Sequence, residues 1–154
     1  MSQTQAMSLD EIYQLAFDIS LSAGADEHNA TILASVLVNA ERDGSHSHGL
    51  FRLPAYVAGL KSKKINGGAR AQVTQVTASF IRVDGNQGLA PTAHDAAIPA
   101  LAKAAQKTGV AIAAIHRCFH MAALWPEVEA IAEYGLAGIA CTNYVPSVAP
   151  AGAN

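Results

Sequence analysis

The chain has 154 residues, within the range of one domain that buries a core of its own. Its charges nearly cancel, at net −2, and its densest basic cluster is the short group Lys61, Lys63 and Lys64, which argues against nucleic acid and anionic membrane as partners. Only 14% of residues are charged and 51% are hydrophobic, so part of the surface is expected to be covered by a partner or by further polypeptide, since an average soluble domain is about 25% charged.

Taken in chain order, Ser8-Leu9-Asp10-Glu11 has the spacing of a capping box, with Met7 and Ile12 placed as its staple. A helix should follow and end near Ser22 to Gly24. Asp26 can cap a second helix, in which Ala30, Leu33, Ala34, Leu37 and Ala40 recur on one face. Residues 43–49 read as a polar turn, and the apolar stretch 50–60 carries Pro54, which starts or kinks a third helix. After the Asn66-Gly67-Gly68 turn, residues 73–77 and 79–83 are short and rich in β-branched residues, as strands are. Asp84-Gly85-Asn86 is expected to break the chain there. Residues 91–108 keep one apolar helical face that Gly109 can end. A buried strand at 110–115, a helix at 122–134 facing inward through Leu124, Val128 and Ile131, and a strand at 136–142 complete the reading. The fold class is α/β, with a helical segment followed by a layered sheet. No apolar run reaches the roughly 20 residues of a membrane-spanning helix. No signal peptide opens the chain, and Cys118 and Cys141 lie far apart in apolar surroundings, so the expectation is a cytoplasmic protein with reduced, buried thiols.

The densest polar constellation is Arg42-Asp43-Gly44-Ser45-His46-Ser47-His48-Gly49, followed by Arg52 and Tyr56. If the chain is helical from His48 onward, His48, Arg52 and Tyr56 share one face, and an imidazole, a forked cation and a phenol point into one cleft. That set suits a carboxylate-bearing substrate: a guanidinium grips a carboxylate with two parallel bonds, and an imidazole exchanges protons near neutral pH. The alternative is an ordinary capped turn beside glycines. The pairs His46/His48 and His116/His120 can each offer two imidazoles to a metal, but neither has a carboxylate or thiolate at familiar spacing, so no metal is expected. Cys118 reads as an inert thiol rather than a nucleophile. No G-x-G-x-x-G follows a strand, and Gly85-x-x-Gly88 is too short to replace it. A dinucleotide phosphate can instead be imagined at the start of the helix near residue 122, with an ordinary strand-to-helix turn as the alternative.

Over essentially its whole length the chain resembles the malate/L-lactate dehydrogenase-like family of NAD(P)H-dependent oxidoreductases. The residues that carry the likeness are the 42–49 run with Phe51-Arg52-Leu53-Pro54-x-Tyr56, then Val83-Asp84-Gly85-Asn86-x-Gly88, His120-Met121-Ala122-Ala123-Leu124-Trp125-Pro126, Thr142-Asn143 and Val148-Ala149-Pro150-x-Gly152. Within the family, His-Ser-His-Gly and Ala-Ala-Leu-Trp-Pro look most like the reductases of Δ1-pyrroline-2-carboxylate and Δ1-piperideine-2-carboxylate. The resemblance implies a non-Rossmann fold, truncated relative to the family, with residues 1–69 a helical segment and 70–154 the first part of a nicotinamide-binding domain. It implies active-site roles for Ser47 and His48, a substrate-handling or proton-donating role for Arg52, and NADPH or NADH against His120, Met121, Ala122, Ala123 and Leu124. A histidine matching His120 is the base in dehydrogenase branches, so His48 and His120 both stand as proton carriers. Tyr56 and Asn143 are expected at the substrate. Methionine stands at 121 where the family usually has phenylalanine, and Pro146 falls where it has a small or hydroxylated residue near the substrate. The implied partners are a small imino or 2-oxo acid and a second copy of the chain in a homodimer. The remaining readings are a malate-, lactate- or sulfolactate-type dehydrogenase and a non-catalytic remnant that acts by association.

Overall fold

A computed structural model describes residues 6–119 and 123–143. Helix α1, Leu9–Ala23, opens on the expected capping box: the Ser8 hydroxyl accepts from the Glu11 amide and the Glu11 carboxylate accepts from the Ser8 amide. It closes on Gly24, whose φ of 108° is open chiefly to glycine. Asp26 caps α2, Glu27–Arg42, and the five predicted core positions of that helix are all buried. Two single 3₁₀ turns, His46–His48 and Leu50–Arg52, lead into α3, Leu53–Lys61, with Pro54 in its first turn, where its missing N–H costs nothing. These three helices share a core around Leu33, Leu37, Tyr56, Leu60 and Ile65.

The sheet holds three strands in the order β1–β2–β3: β1 is Gln72–Gln75, β2 is Phe80–Leu89 and β3 is Ile112–Phe119. The β1 and β2 strands are antiparallel, β2 and β3 parallel, and α4, Ala90–Thr108, makes the crossover. Helix α4 lays Ala93, Ala97 and Ala104 on Ile81 and Val83, a second core on one face of the sheet. A final helix, α5, spans Trp125–Ala132. The mixed α/β class read from the pattern is the one observed.

The turn after α3 locks the helical part to the sheet. The Asn66-Gly67-Gly68 turn rests on the α1–α2 corner so closely that a Cβ on Gly67 would lie 2.0 Å from the Gly24 carbonyl oxygen. Fully buried Asn29 donates to the Asp26 carboxylate at 2.8 Å and to the Ala69 carbonyl at 3.2 Å. On the other side of the turn, the Asn66 amide donates to the Gln87 carbonyl at 2.8 Å, and Leu89 at the end of β2 is buried in the helical core.

Several expectations are corrected. Asp84-Gly85-Asn86 does not end its strand: β2 bulges there, with Asn86 and Gln87 at φ 51° and 57°, and pairing with β3 resumes at Gly88. The Asp84 carboxylate makes this possible by accepting from the Asn86 amide at 2.8 Å. The strand read at 110–115 is instead Ile112–Phe119, and it is at most half-buried, because β3 lies at the edge of the sheet and α4 covers one face alone; Ile112 is 63% exposed, and Val110, just before the strand, 69%. The helix read at 122–134 is shorter, since Pro126 has no N–H for the carbonyl one turn back and belongs in a first turn. Residues 136–142 alternate between half-buried and exposed as a strand would, but form no ladder among the described residues. Cys141 is exposed rather than buried.

Candidate active site

The site grows from the junction of α2 and α3. The expected continuous helix from His48 does not form. Gly49, at φ −89° and ψ −137°, separates the two 3₁₀ turns and re-aims the chain between His48 and Arg52. Tyr56 lies beyond this break and is fully buried in the helical core.

His48 and Arg52 are nevertheless both tied to Ser47. The Ser47 hydroxyl lies 3.0 Å from His48 Nδ1, with the Ser45 hydroxyl behind it at 3.4 Å. The Ser47 carbonyl accepts from Arg52 Nε at 2.7 Å. One residue therefore orients both groups. A hydroxyl donating to Nδ1 selects the tautomer whose proton sits on Nε2. With Nε committed, the two terminal nitrogens of Arg52 carry the donors that can face a carboxylate. The Arg52 guanidinium also lies 5.8 Å from the centre of the exposed Phe51 ring.

Trp125, at the start of α5, forms the opposite wall. Its ring meets His48 edge-on, centroids 6.3 Å apart at 72°. Its indole N–H donates to Asp43 Oδ2 at 3.2 Å, and Asp43 is held in turn by Arg42 at 2.8 and 3.1 Å. Arg42 holds the Asp43 carboxyl below its ordinary range. A second tie fixes α5, between His94 of α4 and Glu127 at 2.5 Å, with side chains 18% and 12% exposed. The run 42–49 and the run ending in Trp-Pro thus meet in space.

Of the remaining expected residues, His120, Met121 and Ala122 lie outside the described residues. Ala123 is buried and Leu124 half-buried, an apolar stretch just before α5. It does not suit a pyrophosphate: the first turn of α5 contains Pro126, which lacks an N–H, and the anionic Glu127. Asn143 is exposed, its carbonyl accepting from the Thr142 hydroxyl at 3.3 Å. His46 and His48 turn Nδ1 to different partners, Glu41 and Ser47, and among the described residues no three His, Cys, Asp or Glu side chains gather as a metal site would require. Burial raises the Cys118 thiol pKa, which disfavours the thiolate that a nucleophile needs. Two hollows lie elsewhere on the surface, one lined by Gln72, Thr74, Arg82, Asp84 and His116 and the other by residues that include Asp26 and Arg70.

Glu41 and Asp43 were not singled out for the site by sequence reasoning. The available signal is their position: both are acidic at the C-terminal end of α2, where the helix macrodipole disfavours anions unless donors gather around them.

Comparison with known proteins identifies the family. Residues 7–154 match the family model described as malate/L-lactate dehydrogenase. Over 152 residues the chain is 40% identical to a Δ1-pyrroline-2-carboxylate reductase of Ancylobacter novellus, covering 99% of this chain and 45% of that protein. It is 43% identical over 143 residues to a Δ1-pyrroline-2-carboxylate/Δ1-piperideine-2-carboxylate reductase of Pseudomonas putida, covering 93% and 42%. The crystal structure of Δ1-piperideine-2-carboxylate reductase from Pseudomonas syringae superposes with a TM-score of 0.81 at 43% identity, covering 86% of this chain and 40% of that one. Malate dehydrogenase from Pyrococcus horikoshii superposes with a TM-score of 0.76 at 25% identity, covering 88% and 41%. The chain spans less than half the length of the curated relatives it matches.

Proposed function

The chain belongs to the malate/L-lactate dehydrogenase family, and on that footing we propose that it forms the substrate-handling part of a nicotinamide-dependent reductase that converts a cyclic imine carboxylate, Δ1-pyrroline-2-carboxylate or Δ1-piperideine-2-carboxylate, to proline or pipecolate. The observation that carries the reading is the double use of Ser47, whose hydroxyl faces His48 and whose carbonyl faces Arg52. It holds a proton carrier and a carboxylate clamp at one place, as reduction of a C=N bond beside a carboxylate requires.

Residues 120–124 would hold NADPH or NADH, which when bound would supply hydride for the imine carbon. Arg52 binds the substrate carboxylate through its terminal nitrogens and fixes the ring in one orientation. His48 delivers a proton to the imine nitrogen from Nε2, and Ser47 keeps Nδ1 engaged so that the imidazole presents that edge. Hydride on carbon and proton on nitrogen together convert C=N to CH–NH. Trp125 closes one side with an apolar wall and keeps water from it, while His120 remains a second candidate proton carrier and Asn143 a second substrate contact.

The structural likeness to a malate dehydrogenase favours a second reading, in which the same pair reduces the carbonyl of a 2-oxo acid and the proton goes to oxygen. A panel of cyclic imine carboxylates and 2-oxo acids, followed at the absorbance of the reduced nicotinamide, separates the two. Consumption with the imines and not with pyruvate or oxaloacetate is expected; the reverse pattern establishes the dehydrogenase. The same proposal carries a cytoplasmic homodimer, supported by the free thiols of Cys118 and Cys141 and by the exposed Val110 and Ile112 side chains at the start of β3.

A further inference from the structure

Glu41 stands in the last turn of α2, and its side chain is only 14% exposed although no lysine or arginine pairs with it among the described residues. Its donors come from the turn that follows. Oε1 accepts from the Leu50 amide at 2.7 Å, and Oε2 lies 2.5 Å from His46 Nδ1. Between these two residues Gly49 passes so close that a Cβ there would fall 2.1 Å from Oε1. Residues 46–50 therefore wrap one carboxylate, and Ser47 and His48 are the two residues left pointing elsewhere.

From this geometry we propose that Glu41 is a positioning residue of the active site: its carboxylate sets the 3₁₀ turn that lets Ser47 engage His48 and Arg52 together. The glycine at 49 is then the complement of the carboxylate, required because any side chain would occupy the space of Oε1. The arrangement also divides labour between the two histidines of the His-Ser-His run, with His46 bound to Glu41 as part of the brace and His48 presented to substrate. The functional meaning rests on the proton-transfer role proposed for His48; the brace itself does not.

The test uses the 154-residue protein labelled with ¹⁵N at histidine and backbone, with no substrate or cofactor present. In the unmodified protein His48 is expected to show one tautomer, with Nδ1 accepting and Nε2 protonated. Glu41→Ala should return His48 to the mixed tautomers of a free imidazole and speed exchange of the Leu50 amide by roughly tenfold or more, as loss of a charge-assisted hydrogen bond implies, while amides of α1 and α4 keep their shifts. Gly49→Ala should reproduce this by displacing the carboxylate, and Glu41→Gln, which retains an acceptor for Leu50, should restore the single tautomer. A His48 tautomer unchanged in both Glu41→Ala and Gly49→Ala overturns the proposal. Should Glu41→Ala not fold, Gly49→Ala against Glu41→Gln decides on the same signal. Since imidazole state and not turnover is read, failure here strikes the positioning role and leaves the proposed reaction to its own assay.

Discussion

Ser47 shows how much a short polar residue can do when both its backbone and its side chain are placed. Its carbonyl takes Nε of Arg52 at 2.7 Å, leaving the terminal nitrogens for a planar, two-point grip on a carboxylate. Lysine at that position keeps the charge and loses both the fork and the bond to Ser47. Arg52→Lys is therefore expected to raise KM for a cyclic imine carboxylate by about tenfold or more, with a smaller change for the corresponding amide, as measured by steady-state kinetics. Equal changes for acid and amide would remove the clamp from the account. The 42–49 run and Arg52 were legible as chemistry because polar, titratable residues crowd there. The continuous helix expected from His48 fails for a definite reason: four-residue spacing puts side chains on one face only within an unbroken helix, and Gly49 interrupts this one.

Among the elements, α1, α2 and α4 follow directly from their caps and apolar faces, and the α1–α2 corner is where one residue controls most. The Asp26 carboxylate caps α2 through the Asn29 amide at 2.9 Å and pairs with Arg70 at 2.7 Å. Burial alone would raise its pKa, but the Asn29 bonds and Arg70 outweigh burial and lower it. A carboxyl whose pKa is lower folded than unfolded stabilises the fold above the unfolded value of about 3.9, and that contribution fades as pH falls through the folded value. Asp26→Ala is expected to cost about 1–2 kcal/mol at neutral pH in denaturant unfolding, with the gap to the parent narrowing below pH 4. A gap that is constant with pH would mean that the charge contributes nothing. The elements that sequence patterning misjudged lie at the sheet's edge. Residues 110–115 and 136–142 have the apolar patterning of interior or paired strands, but burial and pairing are properties of neighbours, and among the described residues one face of β3 lacks a covering layer and 136–142 lacks a partner strand. The β2 bulge escaped because Asp-Gly-Asn signals a turn in local terms, and only the partner strand shows that pairing resumes after it.

At the scale of the molecule, a low charge content and an uneven cover of its sheet leave Val110, Ile112 and Ile139 at 69%, 63% and 97% exposure. Apolar surface of this kind favours association. Sedimentation of the 154-residue protein should show mass rising with concentration, and Val110→Ser with Ile112→Ser should weaken that rise; a monomer at all concentrations would contradict it. The proposed site lies where two well-separated stretches meet, the α2–α3 junction and the start of α5, joined by Trp125 to Asp43 and by the edge of the indole to His48. The central claim is that His48 moves the proton at this junction. Turnover of Δ1-pyrroline-2-carboxylate by the purified protein, followed by loss of reduced-nicotinamide absorbance, tests it most directly: His48→Ala should lower turnover by about 10² to 10⁴-fold with an unfolding midpoint close to the parent's, and a His48→Ala protein that turns over as fast as the parent would contradict it.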